Sequence, residues 1–172
     1  MTLKNTTVKA DRSFDPFPKE HLFYEYSLKI TDHEINQVLL LFEYQSLDSI
    51  EQLTTYKSFN VFDIPLLINV KKQVTNILNK HDVELDNNWA QLYNKNSFHS
   101  MHNHYGSIYS GIIYLKGNNP SSTIFYNRYL EDYYVHNFKK NTLLLFPSLV
   151  FHEVKQLTEN EERLVISFNT KR

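Results

Sequence analysis

Tyr109-Ser110-Gly111-Ile112-Ile113-Tyr114-Leu115-Lys116 and, after it, Thr142-Leu143-Leu144-Leu145-Phe146-Pro147 are short apolar runs rich in branched and aromatic residues, each bounded by turn formers. Runs of this length and composition read as strands rather than helices. The same texture extends in both directions and predicts further strands near residues 89–93, 98–103, 122–127, 133–138 and 163–169. Upstream the apolar spacing becomes helical. Thr31-Asp32-His33-Glu34 has capping-box spacing, and Ile35, Val38, Leu39 and Phe42 follow at helical intervals, which predicts a helix over about 32–44. A second helix is predicted to start after Asp63, with Pro65 tolerated in its first turn. Leu67, Val70, Val74, Ile77 and Leu78 form its apolar face, and it ends near Lys80. Strands that follow two helices with no helix between them point to a mainly β, α+β fold: an antiparallel sandwich or jelly roll with N-terminal helical support on one face.

Composition narrows the chemistry. The 172 residues make one ordinary domain, and no repeat, charge block or linker divides them, so a single domain over 1–172 is expected, with helical support at about 31–80 and the strand-rich core at about 87–170. Lys plus Arg number 18 against 19 Asp plus Glu, which gives no broad basic field for a nucleic-acid backbone or an anionic membrane. Neither partner is expected. With no cysteine, disulfides, thiolate nucleophiles, Cys-based zinc sites and iron-sulfur clusters are excluded, so a metal would have to sit on His, Asp or Glu. The first 17 residues hold no apolar segment of the secretory kind, and the aliphatic runs at 38–42 and 143–146 are far too short to span a bilayer. A soluble, cytoplasmic protein is the expectation; oligomeric state is open.

Five of the eight histidines stand in the strand-rich half, and four of them, His99, His102, His104 and His152, are at suggestive places; the fifth is His136. Because side chains alternate along a strand, His102 and His104 share a face and a metal could take both. An exposed edge carrying two solvated imidazoles is the competing reading. His152 shifts the balance, since it follows a buried apolar run and a turn. Two ligands from one strand and one from another make a facial set of three that leaves the opposite side of a metal open. His99, three residues before His102, is expected on the opposite face, as a rim or surface residue. Arg163 opens the run Arg163-Leu164-Val165-Ile166-Ser167-Phe168-Asn169, whose first, third and fifth residues share a face. If that strand lies beside the one leading to His152, the guanidinium can enter the metal cavity and hold a carboxylate bidentately. The alternative is a surface ion pair with Glu161 or Glu162. The tyrosines 126, 129, 133 and 134, with Arg128, read as half-buried sheet surface, and no P-loop, dinucleotide fingerprint, nucleophile elbow or H-E-x-x-H motif is present.

Taken in order, Trp89 to Tyr93, His102-Asn103-His104, Ser110 to Leu115, Phe146-Pro147-Ser148 leading to His152-Glu153-Val154, and Arg163 to Asn169 resemble the 2-oxoglutarate and Fe(II)-dependent oxygenases. The likeness is to their prolyl-hydroxylase-like branch, which has small phage and marine bacterial members, and it covers about residues 89–169. The resemblance implies a double-stranded β-helix, with Fe(II) on His102 and His152. His104 falls where the family pattern has Asp or Glu; a third imidazole there leaves the ion's double positive charge uncancelled. It also implies that Arg163 and Tyr114 hold the far carboxylate of 2-oxoglutarate, with Tyr93 and Ser167 as further residues of the cosubstrate pocket. The implied chemistry consumes dioxygen and 2-oxoglutarate, releases succinate and carbon dioxide and hydroxylates an amino-acid, peptide or small-molecule substrate, with ascorbate as an aid in vitro. Two rivals stay open: a three-histidine cupin-type dioxygenase that does not use 2-oxoglutarate, and a catalytically silent jelly-roll binding module.

Overall fold

The computed structural model describes residues 10–17, 22–43, 53–118, 122–158 and 162–172. The elements run β1 (Arg12–Phe14), β2 (Phe23–Ser27), α1 (Asp32–Leu39), β3 (Leu53–Thr54), α2 (Ile68–Leu78), β4 (Glu84–Tyr93), β5 (His99–His102), β6 (Tyr109–Lys116), β7 (Thr123–Tyr126), β8 (Tyr133–His136), β9 (Thr142–Pro147), β10 (His152–Val154) and β11 (Arg163–Lys171). They form a seven-stranded sheet, in the order β1-β2-β9-β6-β11-β4-β3, and a four-stranded sheet, in the order β5-β10-β7-β8. Every pairing is antiparallel. Two such sheets face to face are the double-stranded β-helix, as expected.

Strand periodicity builds both cores. On β9, Leu143 and Leu145 point to the helical side, where they pack with Ile113, Ile166, Phe168 and the apolar faces of α1 and α2. Leu144 and Phe146 point between the sheets, to Phe23, Tyr93, Ile112, Tyr114 and Phe125. A large sheet covered on both faces needs central strands that are apolar throughout, which is why β6, β9 and β11 are buried along almost their whole length. Burying one Leu or Phe contributes about 1.5–3 kcal/mol, so this double cover is the main source of stability.

The two helices form as the spacing predicts, with closer limits. Thr31 caps α1: its side chain accepts from Glu34 N, and the Glu34 carboxylate accepts from Thr31 N at 2.7 Å. The α-helix ends at Leu39 and tightens into a 3₁₀ turn over Leu40–Phe42, while residue 44 lies outside the described residues. Pro65 opens a 3₁₀ turn that leads into α2, and Asp82 ends the helical segment in the left-handed region at φ 52°.

Four strands were not foreseen: β1, β2, β3 and β10. Of these, β1 and β2 lie upstream of the helical segment and extend the main sheet beside β9. In β2 the alternation is masked by Glu25, an acid on the face between the sheets, which is tolerated there because Arg12, Lys139 and His136 all reach its carboxylate. A further correction concerns β11, which lies between β6 and β4 rather than beside β9. Among the described residues, no helix is long and apolar enough to cross a membrane.

Candidate functional site

One end of the space between the sheets carries the histidines. His102 ends β5 and His152 begins β10, and the two are direct cross-strand partners. His104 lies past the end of β5 rather than on it, in a loop fixed by the hydrogen bond from its backbone N–H to Ser148 O at 2.8 Å. Ser148 is itself held to Ser110, which donates to Asn169 at 2.8 Å, so a buried polar network seats the loop on the main sheet. His102, His104 and His152 each offer a ring nitrogen, and these lie within 4.8 Å of one another, close enough for one ion to reach all three. The same-strand argument for His104 therefore gives the right neighbour by the wrong route.

The rings are prepared as neutral ligands. His102 Nδ1 lies 2.7 Å from Ser100 O and His152 Nδ1 3.0 Å from Val150 O. A carbonyl can only accept, so Nδ1 carries the proton and the lone pair is left on Nε2. Burial holds the imidazolium forms down throughout. His104 is lowered to about 4 by burial and by His102, and His152, which is 5% exposed, falls well below its ordinary value. His102 is also lowered, by burial. Three neutral imidazoles suit Zn, Cu, Fe or Ni, and no fourth protein ligand joins the group among the described residues.

The cavity runs from these rings to Arg163, which is only 1% exposed. Its guanidinium carbon lies 4.6 Å from the centre of the Tyr93 ring and 5.7 Å from that of Tyr114, and Nη2 donates to Thr123 Oγ1 at 3.0 Å. Tyr114 OH meets the same Oγ1 at 3.0 Å. Burial pushes the Tyr114 phenol up to about 12 and raises Tyr93, so both stay protonated beside the cation. Glu162 pairs with Lys116, and Glu161 lies outside the described residues. Tyr114 stands behind the cavity wall and communicates through Thr123, whereas Tyr93, Ser167 and Arg163 line it.

Ser167 donates to Gln91 Oε1 at 2.8 Å, which turns the Gln91 amide nitrogen toward His99 Nδ1 at 3.2 Å. Tyr93 OH is 3.3 Å from the same nitrogen. His99 is therefore a cavity residue, contrary to the sequence expectation, with its ring stacked on His102. A bulge explains the error: His102 pairs with His152 but His99 with Val154, so three steps on β5 match two on β10 and alternation is broken. Thr123 and Gln91 were also missed. Gln91 could have been found by stepping two residues back from Tyr93 along β4; Thr123 carries no sequence signal. Of the tyrosine group, Tyr129 and Tyr133 are exposed and Tyr126 donates to Glu153, while Tyr134 packs inward against Phe14 and Phe23. Residues 18–21, with His21, lie outside the described residues, as do 119–121 of the loop after β6.

No protein-family model matches the sequence. No curated protein matches it either. Solved structures do. A prolyl hydroxylase from Trichoplax adhaerens, solved with a hypoxia inducible factor peptide fragment, superposes with a TM-score of 0.66 at 14% identity, over 86% of this chain and 82% of that one. HygX from Streptomyces hygroscopicus, with nickel and 2-oxoglutarate bound, gives 0.63 at 10% identity over 86% and 81%. The viral collagen prolyl hydroxylase of Paramecium Bursaria Chlorella virus-1 gives 0.61 at 13% identity over 86% and 89%. The fold is therefore the double-stranded β-helix of the 2-oxoglutarate/Fe(II) oxygenases.

Proposed function

We propose that this protein is a 2-oxoglutarate- and Fe(II)-dependent oxygenase that hydroxylates an amino-acid, peptide or small-molecule substrate, with the whole chain acting as one domain. The observation that carries the reading is a single cavity with three convergent neutral imidazoles at one end and a buried arginine at the other. His102, His104 and His152 are the metal ligands in this reading. Arg163 binds the distal carboxylate of 2-oxoglutarate, Tyr93 and Ser167 line its path, and Tyr114 orients Thr123 beside it. When bound, the metal supplies dioxygen activation, with 2-oxoglutarate as the reductant that leaves as succinate and carbon dioxide.

The chain's own contribution is binding, orientation and exclusion of water. Carbonyls of Ser100 and Val150 fix the tautomers of two ligands, and the rings of Tyr93 and Tyr114, with Thr123, lie close to the guanidinium and help to orient its fork. The substrate class draws on likeness alone: the neighbours include HygX with hygromycin B bound and a prolyl hydroxylase with a peptide bound.

The test is an anaerobic titration with Fe(II) followed by 2-oxoglutarate, then succinate analysis after air and ascorbate are admitted. Iron binding, 2-oxoglutarate binding and slow uncoupled succinate release are expected. His152→Ala should abolish iron binding, and His104→Ala should weaken it. Iron without 2-oxoglutarate binding would instead indicate the cupin-type reading, which the all-histidine set favours, and neither would indicate a binding module.

A further inference from the structure

A fourth imidazole in the cavity has no place among the ligands. The His99 and His102 rings lie 4.0 Å apart between centroids at an interplanar angle of 29°, a stacked pair. Stacking sets the two rings face to face, so they cannot both aim a nitrogen at one ion, and His99 is absent from the convergent group. What it does have is an unusually complete fixing. Gln91 Nε2 and Tyr93 OH both address Nδ1, and Gln91 is held in turn by Ser167 on the neighbouring strand. The hydrogen bond at His102 Nδ1 is to the Ser100 carbonyl, and the rings of His152 and His104 lie 4.3 and 5.0 Å from its own between centroids.

We infer that His99 is a positioning residue whose ring face holds His102 in the orientation that binds the metal, and so ties the metal end of the cavity to the strands that carry Arg163. The inference rests on the proposed metal site. Its physics is simple. A ring with one hydrogen bond can still rotate about its outer bonds, whereas a flat neighbour anchored at two points removes that freedom before the ion arrives. A ring that ligates a dication becomes electron-poor, and the π face of a neutral imidazole attracts it, as aromatic faces attract cations. Partners that orient ligands in this way are worth about 10–100-fold in metal affinity. The bulge between β5 and β10 is what turns His99 to this face. The same chain of contacts makes the Ser167-Gln91 pair, otherwise a plain cross-strand hydrogen bond, part of the metal support.

Two substitutions separate the ring face from the rest of the side chain. His99→Phe keeps a flat face and His99→Leu fills the space without one, and both forgo the hydrogen bonds to Gln91 and Tyr93 equally. Ni(II) and Co(II) affinities by calorimetry, and the visible absorption of the Co(II) forms, are the readouts. His99→Leu should bind about tenfold more weakly than wild type with an altered Co(II) spectrum, and His99→Phe, which keeps the ring face but loses both anchors, should fall between the two in affinity and spectrum. Equal affinities in the Leu variant and wild type, or a Phe variant as weak as the Leu variant, overturn the inference. Should His99→Leu fail to fold, His99→Ala, which relieves crowding, takes its place with the same expectation. A wild-type protein that binds neither metal refutes the metal site itself, a result distinct from failure of the positioning role.

Discussion

Arg163 is the residue on which the proposed cosubstrate end of the cavity turns. A guanidinium that is 1% exposed needs close partners, and two phenol rings and Thr123 are among those it has. In the proposed reading a bound carboxylate would add a charge-assisted pair to them. Removing the guanidinium with Arg163→Ala should therefore weaken 2-oxoglutarate binding to the Ni(II)-loaded protein by about two to three decades, equivalent to about 3–4 kcal/mol. Calorimetry checks it, and wild-type affinity in the variant would show that the arginine is structural only. Arg163→Lys should recover part of the loss, since an ammonium cannot present the planar fork. At this scale the sequence is informative where chemistry is rare and silent where it is common. His102, His104, His152 and Arg163 stand out because histidine and arginine have few structural uses beside the apolar runs that flank them. Thr123 and Gln91 do not, because a hydroxyl or amide in a strand acquires meaning only from the neighbour it meets.

At the scale of elements, alternation is the rule that made the strands legible, and its local failure produced the errors. β6, β9 and the start of β11 are read correctly because short, nearly continuous apolar runs bounded by turn formers fit a strand covered on both faces. The three-residue β10 and the two-residue β3 are too short to carry a period, and the β5 bulge reverses the face of His99. One glycine shows how tightly the central strands are fitted. A Cβ added at Gly111 would stand 2.1 Å from Phe168 Cζ, so the Phe168 ring occupies the place a side chain would need. Gly111→Ala should then cost about 1–3 kcal/mol in urea unfolding, through displacement of a ring that belongs to the core on the helical side. Adding Phe168→Leu should cost less in the Gly111→Ala background than in wild type, the signature of two residues competing for one space. Additive effects would mean that the ring moves aside freely.

Across the whole molecule, the buried histidines and Glu25 share one sign of response. Burial alone would raise Glu25, but hydrogen bonds from Lys139, Arg12 and His136 outweigh it and hold the carboxyl at about 2. Burial, with the charges of His102, Arg163 and His104 in support, lowers His99 to about 3, and His104, His152 and His136 fall below the ordinary 6.5 as well. In each case the unfolded chain binds protons that the folded chain refuses. For the histidines this holds from pH 6.5 down to the lowered values, and for Glu25 from its ordinary 4.5 down to about 2. Stability rises with pH wherever the unfolded state binds more protons, so the metal-free protein should lose stability steadily as pH falls below 6.5, first through the imidazoles and then through Glu25. Ni(II) should add stability at neutral pH, and that increment should shrink over the same descent, because protons compete for the lone pairs that ligate. Urea midpoints measured from about pH 8 to 4, with and without Ni(II), test both statements. A flat apo profile between pH 7 and 5 would mean that the folded protein protonates its histidines as freely as the unfolded chain does, and the cavity would then have to be wet and open rather than a closed set of neutral ligands.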